Sequence, residues 1–249
     1  MGQKYAISQQ PNAPYRVYKG GIGEVMPRIR HDHRRPMSIF DVLLERHYGD
    51  FHSEFRSMAV TTADVMAWDP RSQTVKFVRD SDHVRNLKPD SIEPNPYLTA
   101  IALPDKSYEG IDGLELILTD ATPLSVPAEI RKEGAGYKHA INEQQRRVWE
   151  YLARSPRLVR DNSEGMNYVE LFVRKNGARI ILPPLNLLFE LDRPVIIPIT
   201  ITSASYLGPG ADLVVGENYF PANPGREPEI VGVKTKTLEN ARQRFEAHN

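Results

Sequence analysis

The stretch MNYVELFVRKNGARIILPPLNLLFELDRPVIIPITITS, Met166–Ser203, decides the reading of the fold. Tyr168–Lys175 and Ala178–Leu182 flank Asn176-Gly177. That dipeptide tolerates positive φ at both central turn positions, so it predicts a two-residue hairpin. Pro183 and Pro184 stop the ladder because neither can donate a backbone hydrogen bond. Next, Leu185, Leu187, Phe189 and Leu191 alternate with Asn186, Glu190 and Asp192. After an Arg193-Pro194 turn, Val195, Ile197, Ile199 and Ile201 alternate with Pro198, Thr200 and Thr202. A period of two predicts strands with one face in a core and the other in water. The expectation is therefore an antiparallel meander.

Outward from this stretch, the elements are shorter. Ser38 precedes Ile39, Val42 and Leu43 at helical spacing, with Asp41 three residues on, which predicts a capped helix ending near Gly49. Thr74–Arg79, Tyr97–Leu103 and Leu114–Thr119 read as strands. Ile141, Val148 and Leu152 mark Tyr137–Ala153 as the main helix. Ala211–Val215 and Ile230–Lys236 read as late strands, and Leu238, Ala241 and Phe245 stripe a C-terminal helix. The fold class expected is mainly β (β-rich α+β), an antiparallel sandwich or barrel-like core with one main helix and extended terminal arms. The organisation expected is a basic N-terminal arm over residues 1–36, a β-rich domain over 37–236 with its helix near 137–154, and a C-terminal helix over 237–249.

The arm reading rests on Pro11, Pro14, Gly20, Gly21, Gly23 and Pro27, which interrupt any regular element. Its charge is biased, with seven lysines and arginines against Glu24 and Asp32. In the whole chain, by contrast, 32 basic and 32 acidic side chains cancel over 249 residues. That balance argues against a uniformly cationic nucleic-acid binder while leaving a local patch open. The absence of cysteine excludes disulfides, thiol nucleophiles, iron–sulfur clusters and cysteine-bound zinc. The opening residues lack the apolar core of a secretory signal and no run approaches a membrane span, so the expected location is the cytoplasm or a virion, without membrane contact.

Candidate chemistry is sparse. His31-Asp32-His33, followed by Glu45, His47, Asp50 and His52, combines imidazoles and carboxylates of the kind that hold transition metals. It matches no spaced ligand signature, and no Gly-x-Ser-x-Gly elbow is present. No catalytic, cofactor-binding or metal residue is assigned, and the expectation leans away from an enzyme. Arg28, Arg30, Arg34 and Arg35 on the arm, with Arg146 and Arg147 on the main helix, are the candidate nucleic-acid contacts. Tyr15, Tyr18, Leu238 and Phe245 are the candidate contacts between copies.

The function expected is a structural subunit of a symmetric assembly, in the manner of a viral or phage capsid or tail protein. Its partners would be copies of itself, other assembly proteins and nucleic acid reached through the arm. The alternatives are a nucleic-acid-binding component of a ribonucleoprotein complex and a metal-dependent enzyme using the His31/His33 region.

Overall fold

A computed structural model describes residues 13–48, 58–88, 92–93, 100–104, 106–117, 129–133, 136–140, 143–154, 180–183, 185–202, 213–216 and 229–247. The elements in chain order are β1 (Tyr15–Tyr18), α1 (Ile22–His31), β2 (Arg35–Pro36), α2 (Ile39–Tyr48), β3 (Val60–Asp69), β4 (Thr74–Val78), α3 (Asp82–Arg85), β5 (Ile92–Glu93), β6 (Ala100–Ala102) and β7 (Leu114–Ile117). There follow β8 (Glu129–Glu133), β9 (Gly136–Ala140), α4 (Glu143–Leu152), β10 (Ile180–Ile181), α5 (Leu185–Phe189), β11 (Val195–Ile201), β12 (Leu213–Val215), β13 (Glu229–Val233) and α6 (Thr235–Ala247).

The protein is a mixed α/β structure with one large sheet and several short helices. Its spine is the antiparallel pair β3 and β11. Each strand of the spine splits its outer edge between two partners. β3 meets β13 in parallel at Val60–Thr61 and β4 in antiparallel sense at Val65–Asp69. β11 meets β6 at Val195–Ile196 and β12 at Ile199–Ile201. β1 and β2 pair with β13, β5 with β6, β7 with β4, and β10 runs parallel to β12. The sheet is mixed rather than purely antiparallel, and it does not close into the barrel that the sequence suggested.

The expected wet face is also absent. Every residue of β11 is buried, as are all of β3 except Asp69. Val195, Ile197, Ile199 and Ile201 join Met66 and Trp68 in one core, covered by α2, α4, α5 and α6 through residues such as Leu43, Trp149, Leu188 and Leu238. Ile196, Val65 and Ala67 face a second core, closed by Ile22, Val25, Met26 and Ile29 of α1 and Val84 of α3. Helices on both faces are what a two-sided apolar strand requires.

Residues 15–36, expected within an arm, are β1, α1 and β2: the two strands join the sheet through β13, and α1 covers the second core. Tyr15 and Tyr18 are buried. The physical reason is that Ile22, Val25, Met26 and Ile29 stand at i, i+3, i+4 and i+7, an amphipathic stripe that the surrounding glycines and Pro27 obscure. Leu185–Phe189 is helix rather than strand, so Leu188 is buried while Phe189 is 38% exposed and Leu187 is intermediate. Trp68 fixes this turn: its Nε1 donates to the Leu188 carbonyl at 2.9 Å, and its ring meets Phe189 edge-on at 5.6 Å. The main helix begins at Glu143, and Gly136–Ala140 is instead the second strand of a separate hairpin with β8. The Asn176-Gly177 hairpin lies outside the described residues, apart from Ile180 and Ile181.

The capped start of α2 forms as its spacing requires. Asp41 N donates to Ser38 Oγ at 3.2 Å and Ser38 N donates to Asp41 Oδ2 at 3.0 Å. Ile199→Ala should cost about 2–5 kcal/mol in chemical denaturation, the range for a fully buried aliphatic side chain. Phe189→Ala should cost less than Ile199→Ala, because part of that ring already faces water. An equal or reversed order would refute the helical assignment of Leu185–Phe189.

Candidate functional site

Two polar centres stand out among the described residues. The first is a surface cleft of about 470 Å³ at the C-terminal end of α1, lined by Arg16, Tyr18, Pro27, Arg28, His31 and Asp32. The helix ends in a Schellman motif: His33 N donates to Arg30 O at 2.9 Å and Arg34 N donates to Ile29 O at 3.0 Å. His33 occupies the left-handed position at φ 53°, where glycine is usual. This turn sets Asp32 against β1. Its Oδ2 accepts from Tyr18 Oη at 2.5 Å and from Arg16, while His31 Nδ1 lies 3.5 Å from Oδ1.

Tyr18 lies close upon β13, since a Cβ on Gly232 would stand 2.7 Å from its ring. Burial, then the Asp32 carboxylate, pushes the Tyr18 hydroxyl up to about 12. The Tyr18 hydrogen bond, opposed by burial and helped by Arg16, holds Asp32 below the usual carboxylate range. Asp32 is thus ionised and already engaged by donors, which suits an anchor better than a free base. Arg16 and Arg28 lie 5.1 and 5.7 Å from the Tyr18 ring centroid and keep the cleft cationic.

The histidines do not converge. His31 is 89% exposed at its side chain, His33 is exposed, and Glu45 is buried against Tyr15 on the other face of the sheet. His47 lies on α2, while Asp50 and His52 lie outside the described residues. Among the described residues no group of three His, Asp or Glu side chains is placed to hold a metal ion.

The six candidate nucleic-acid arginines are also separated. Arg28 lines the cleft and donates to Lys19 O at 3.2 Å. Arg30 donates to the carbonyls of Arg85 and Leu87 at 2.6 and 3.1 Å. Arg34 is buried and fastens β1 to β13 through Pro14 O at 2.9 Å and Gly232 O at 3.2 Å. Arg35 belongs to the second centre. Arg146 pairs with Glu143 at 2.9 Å within α4, where Arg147 is exposed. Of the candidate contacts between copies, Tyr15, Tyr18 and Leu238 are spent inside this chain, and Phe245 lies on α6.

The second centre is a cluster of arginines on aspartates that joins five elements. Fully buried Asp41 accepts from Arg35 and Arg242, each at 3.0 Å, besides its capping bonds. Asp80, at φ 54° in the turn before α3, meets Arg35 at 3.2 Å, Arg154 at 3.6 Å and Arg85. Arg154 and Arg242 each lie 5.7 Å from the Phe40 ring centroid. Beneath them, buried Asp64 accepts from the backbone N–H groups of Ile39 and Asp80, both at 2.6 Å. Burial pushes Asp64 up to about 7, partly offset by those two N–H donors. Sequence reading missed this centre because its members are scattered from Arg35 to Arg242. The single local signal was Asp64 itself, an acid inside the apolar strand Val60–Trp68, where Asp is depleted.

No family model matches the chain, and neither a curated protein nor a solved structure is similar to it. Among the described residues no helix is long and apolar enough to cross a membrane.

Asp64 makes stability depend on pH in a stated direction. Its folded pKa of about 7 exceeds its ordinary value, so the native state holds a proton that the unfolded chain has released. Its contribution is complete below about pH 4 and is lost as pH rises towards 7. Between pH 5 and 7 the wild type should lose about 1 kcal/mol per pH unit more than Asp64→Asn. Parallel denaturation curves for the two proteins would refute this. His33→Gly should hold or raise the melting temperature, because only the left-handed turn needs position 33; a clear loss would give the imidazole a role.

Proposed function

We propose that the chain is a subunit of a symmetric protein assembly, its contacts made by β8–β9 and by the outer edge of β7 rather than by the termini. The observation that carries this reading is the β8–β9 hairpin. It is a two-stranded sheet of its own, running from Glu129↔Ala140 to Glu133↔Gly136, and among the described residues it pairs with no strand of the main sheet. An isolated two-stranded hairpin is marginal in water and gains stability from a surface to lie on. β7 adds a second feature, for among the described residues it pairs with β4 alone and it presents Ile117 at 70% exposure. Open edges with exposed apolar residues are templates for pairing between chains. The virion form of this reading rests on architectural analogy alone.

The two alternatives have less behind them. A nucleic-acid surface loses Arg30, Arg34, Arg35 and Arg146 to partners within the chain. A metal enzyme at His31 and His33 lacks a converging ligand set among the described residues.

Sedimentation equilibrium tests the assembly directly. The full chain should sediment at a multiple of its own mass. A variant with residues 129–140 replaced by a short Gly-Ser linker, or carrying Ile117→Lys, should fall towards the monomer while keeping its circular dichroism. A monomeric full chain would overturn the proposal, and unchanged masses in both variants would overturn the elements assigned to it.

A further inference from the structure

We propose that Arg35, Arg85, Arg154 and Arg242 form a binding site for a dianionic phosphate group, on the face where α2, the end of α4 and α6 meet the turn before α3. The argument starts from charge. Four guanidinium groups gather on two carboxylates, Asp41 and Asp80, so among the described residues these ion pairs leave positive charge in excess at the cluster. The third acid, Asp64, offsets only part of this at pH 7, because burial pushes it up to about 7 and its oxygens already accept from Ile39 N and Asp80 N. Holding like charges together in a half-buried setting is unfavourable unless an anion joins them.

Hydrogen bonding points the same way. The Nε–H groups of Arg35, Arg85, Arg154 and Arg242 are buried and have no acceptor among the described residues. A guanidinium presents its donors as a planar fork, the geometry that grips phosphate oxygens in pairs. Arg85, Arg154 and Arg242 each spend one terminal nitrogen on Asp41 or Asp80 and Arg35 spends both, so their positions are set before a ligand arrives and the other three keep a terminal nitrogen to offer. Their side chains are 18% to 33% exposed, open enough for a small anion to enter and enclosed enough for the charge to be felt. An excess of more than one charge fits a dianion better than chloride or a single carboxylate. This site is independent of the assembly reading and uses none of the residues assigned to it.

The purely structural alternative, a clasp between helices with water on its spare donors, makes a different prediction. The test compares the thermal midpoint of the full chain at pH 7 in sodium phosphate and in sodium chloride of equal ionic strength. Phosphate at about ten times its Kd should raise the midpoint by about 3 °C or more beyond chloride. Arg85→Gln with Arg154→Gln should abolish that difference. A second measurement needs no variant: phenylglyoxal modification of the wild type, mapped by peptide mass spectrometry. Phosphate should slow modification of Arg85 and Arg154 several-fold while leaving exposed Arg147 unchanged. Equal midpoints in the two salts, a phosphate shift surviving in the double variant, or no selective protection would each overturn the site.

Discussion

The register break between β3 and β11 is the constraint on which the rest of the structure depends. Pro198 pairs with Val65 and Thr200 with Thr61, so Thr62, Ala63 and Asp64 stand against Ile199 alone. A proline inside a central strand has no N–H to give, and a bulge is where a sheet accommodates it. The backbone groups released by the bulge must find partners elsewhere. Thr62 Oγ1 donates to Ile199 O at 2.8 Å and accepts from Asp64 N at 3.2 Å. Ala63 bonds outside the ladder, to Met37 O through its N–H and to Ser81 N through its carbonyl, both at 2.8 Å. Asp64 then takes the N–H groups of Ile39 and Asp80. One irregularity in the spine therefore fixes the start of α2 and the turn before α3, and those two points carry Asp41 and Asp80.

This explains why the ionic centre sits where it does and what it contributes. Buried ion pairs gain little net stability, because desolvation offsets most of the attraction. Their value here is positional. Asp41 ties α6 to α2 through Arg242, and Asp80 ties the end of α4 to the α3 turn through Arg154 and Arg85. Apolar packing of Leu238 and Trp149 tolerates some sliding of a helix, whereas a guanidinium on a fixed carboxylate does not.

Much of the spine was legible in the sequence, and the layers upon it were not. The run from Val195 to Ile201 reads correctly as a strand because its β-branched residues sustain the pattern over seven positions. Its second buried face did not show, because Thr200 and Pro198 look polar or disruptive yet lie in the core, where Thr200 Oγ1 meets Thr61 Oγ1 at 2.9 Å. The segment Leu185–Leu191 satisfies a period of two and a helical period together, and the indole of Trp68, distant in sequence, decided for the helix. In α1 the helical spacing was present but outweighed by Gly20, Gly21, Gly23 and Pro27. Gly20 and Gly21 in fact precede the helix and Gly23 lies in its first turn, while Pro27 forfeits one N–H bond and crowds the carbonyl four residues back without ending the helix. The cleft at Asp32 draws on residues close in sequence, several of them singled out there, whereas the ionic centre is assembled by topology and showed in the sequence only through Asp64.

That topology also changes what the two ends of the described chain are for. β1 pairs with β13, and α6 follows β13 directly, so the ends of the described chain meet in one place. Arg34 bonds both Pro14 O and Gly232 O, and Tyr15 joins the core that Leu238 also closes. Removing β1 would take both buried tyrosines with it and expose the flank of β13, and removing α6 would uncover the core that Leu238 closes and leave Asp41 without Arg242. Truncation of either end therefore disturbs the fold before it reports on any contact between copies. A test of assembly is therefore better placed away from the ends, at the β8–β9 hairpin, which among the described residues pairs only within itself, and at Ile117 on β7, which is 70% exposed.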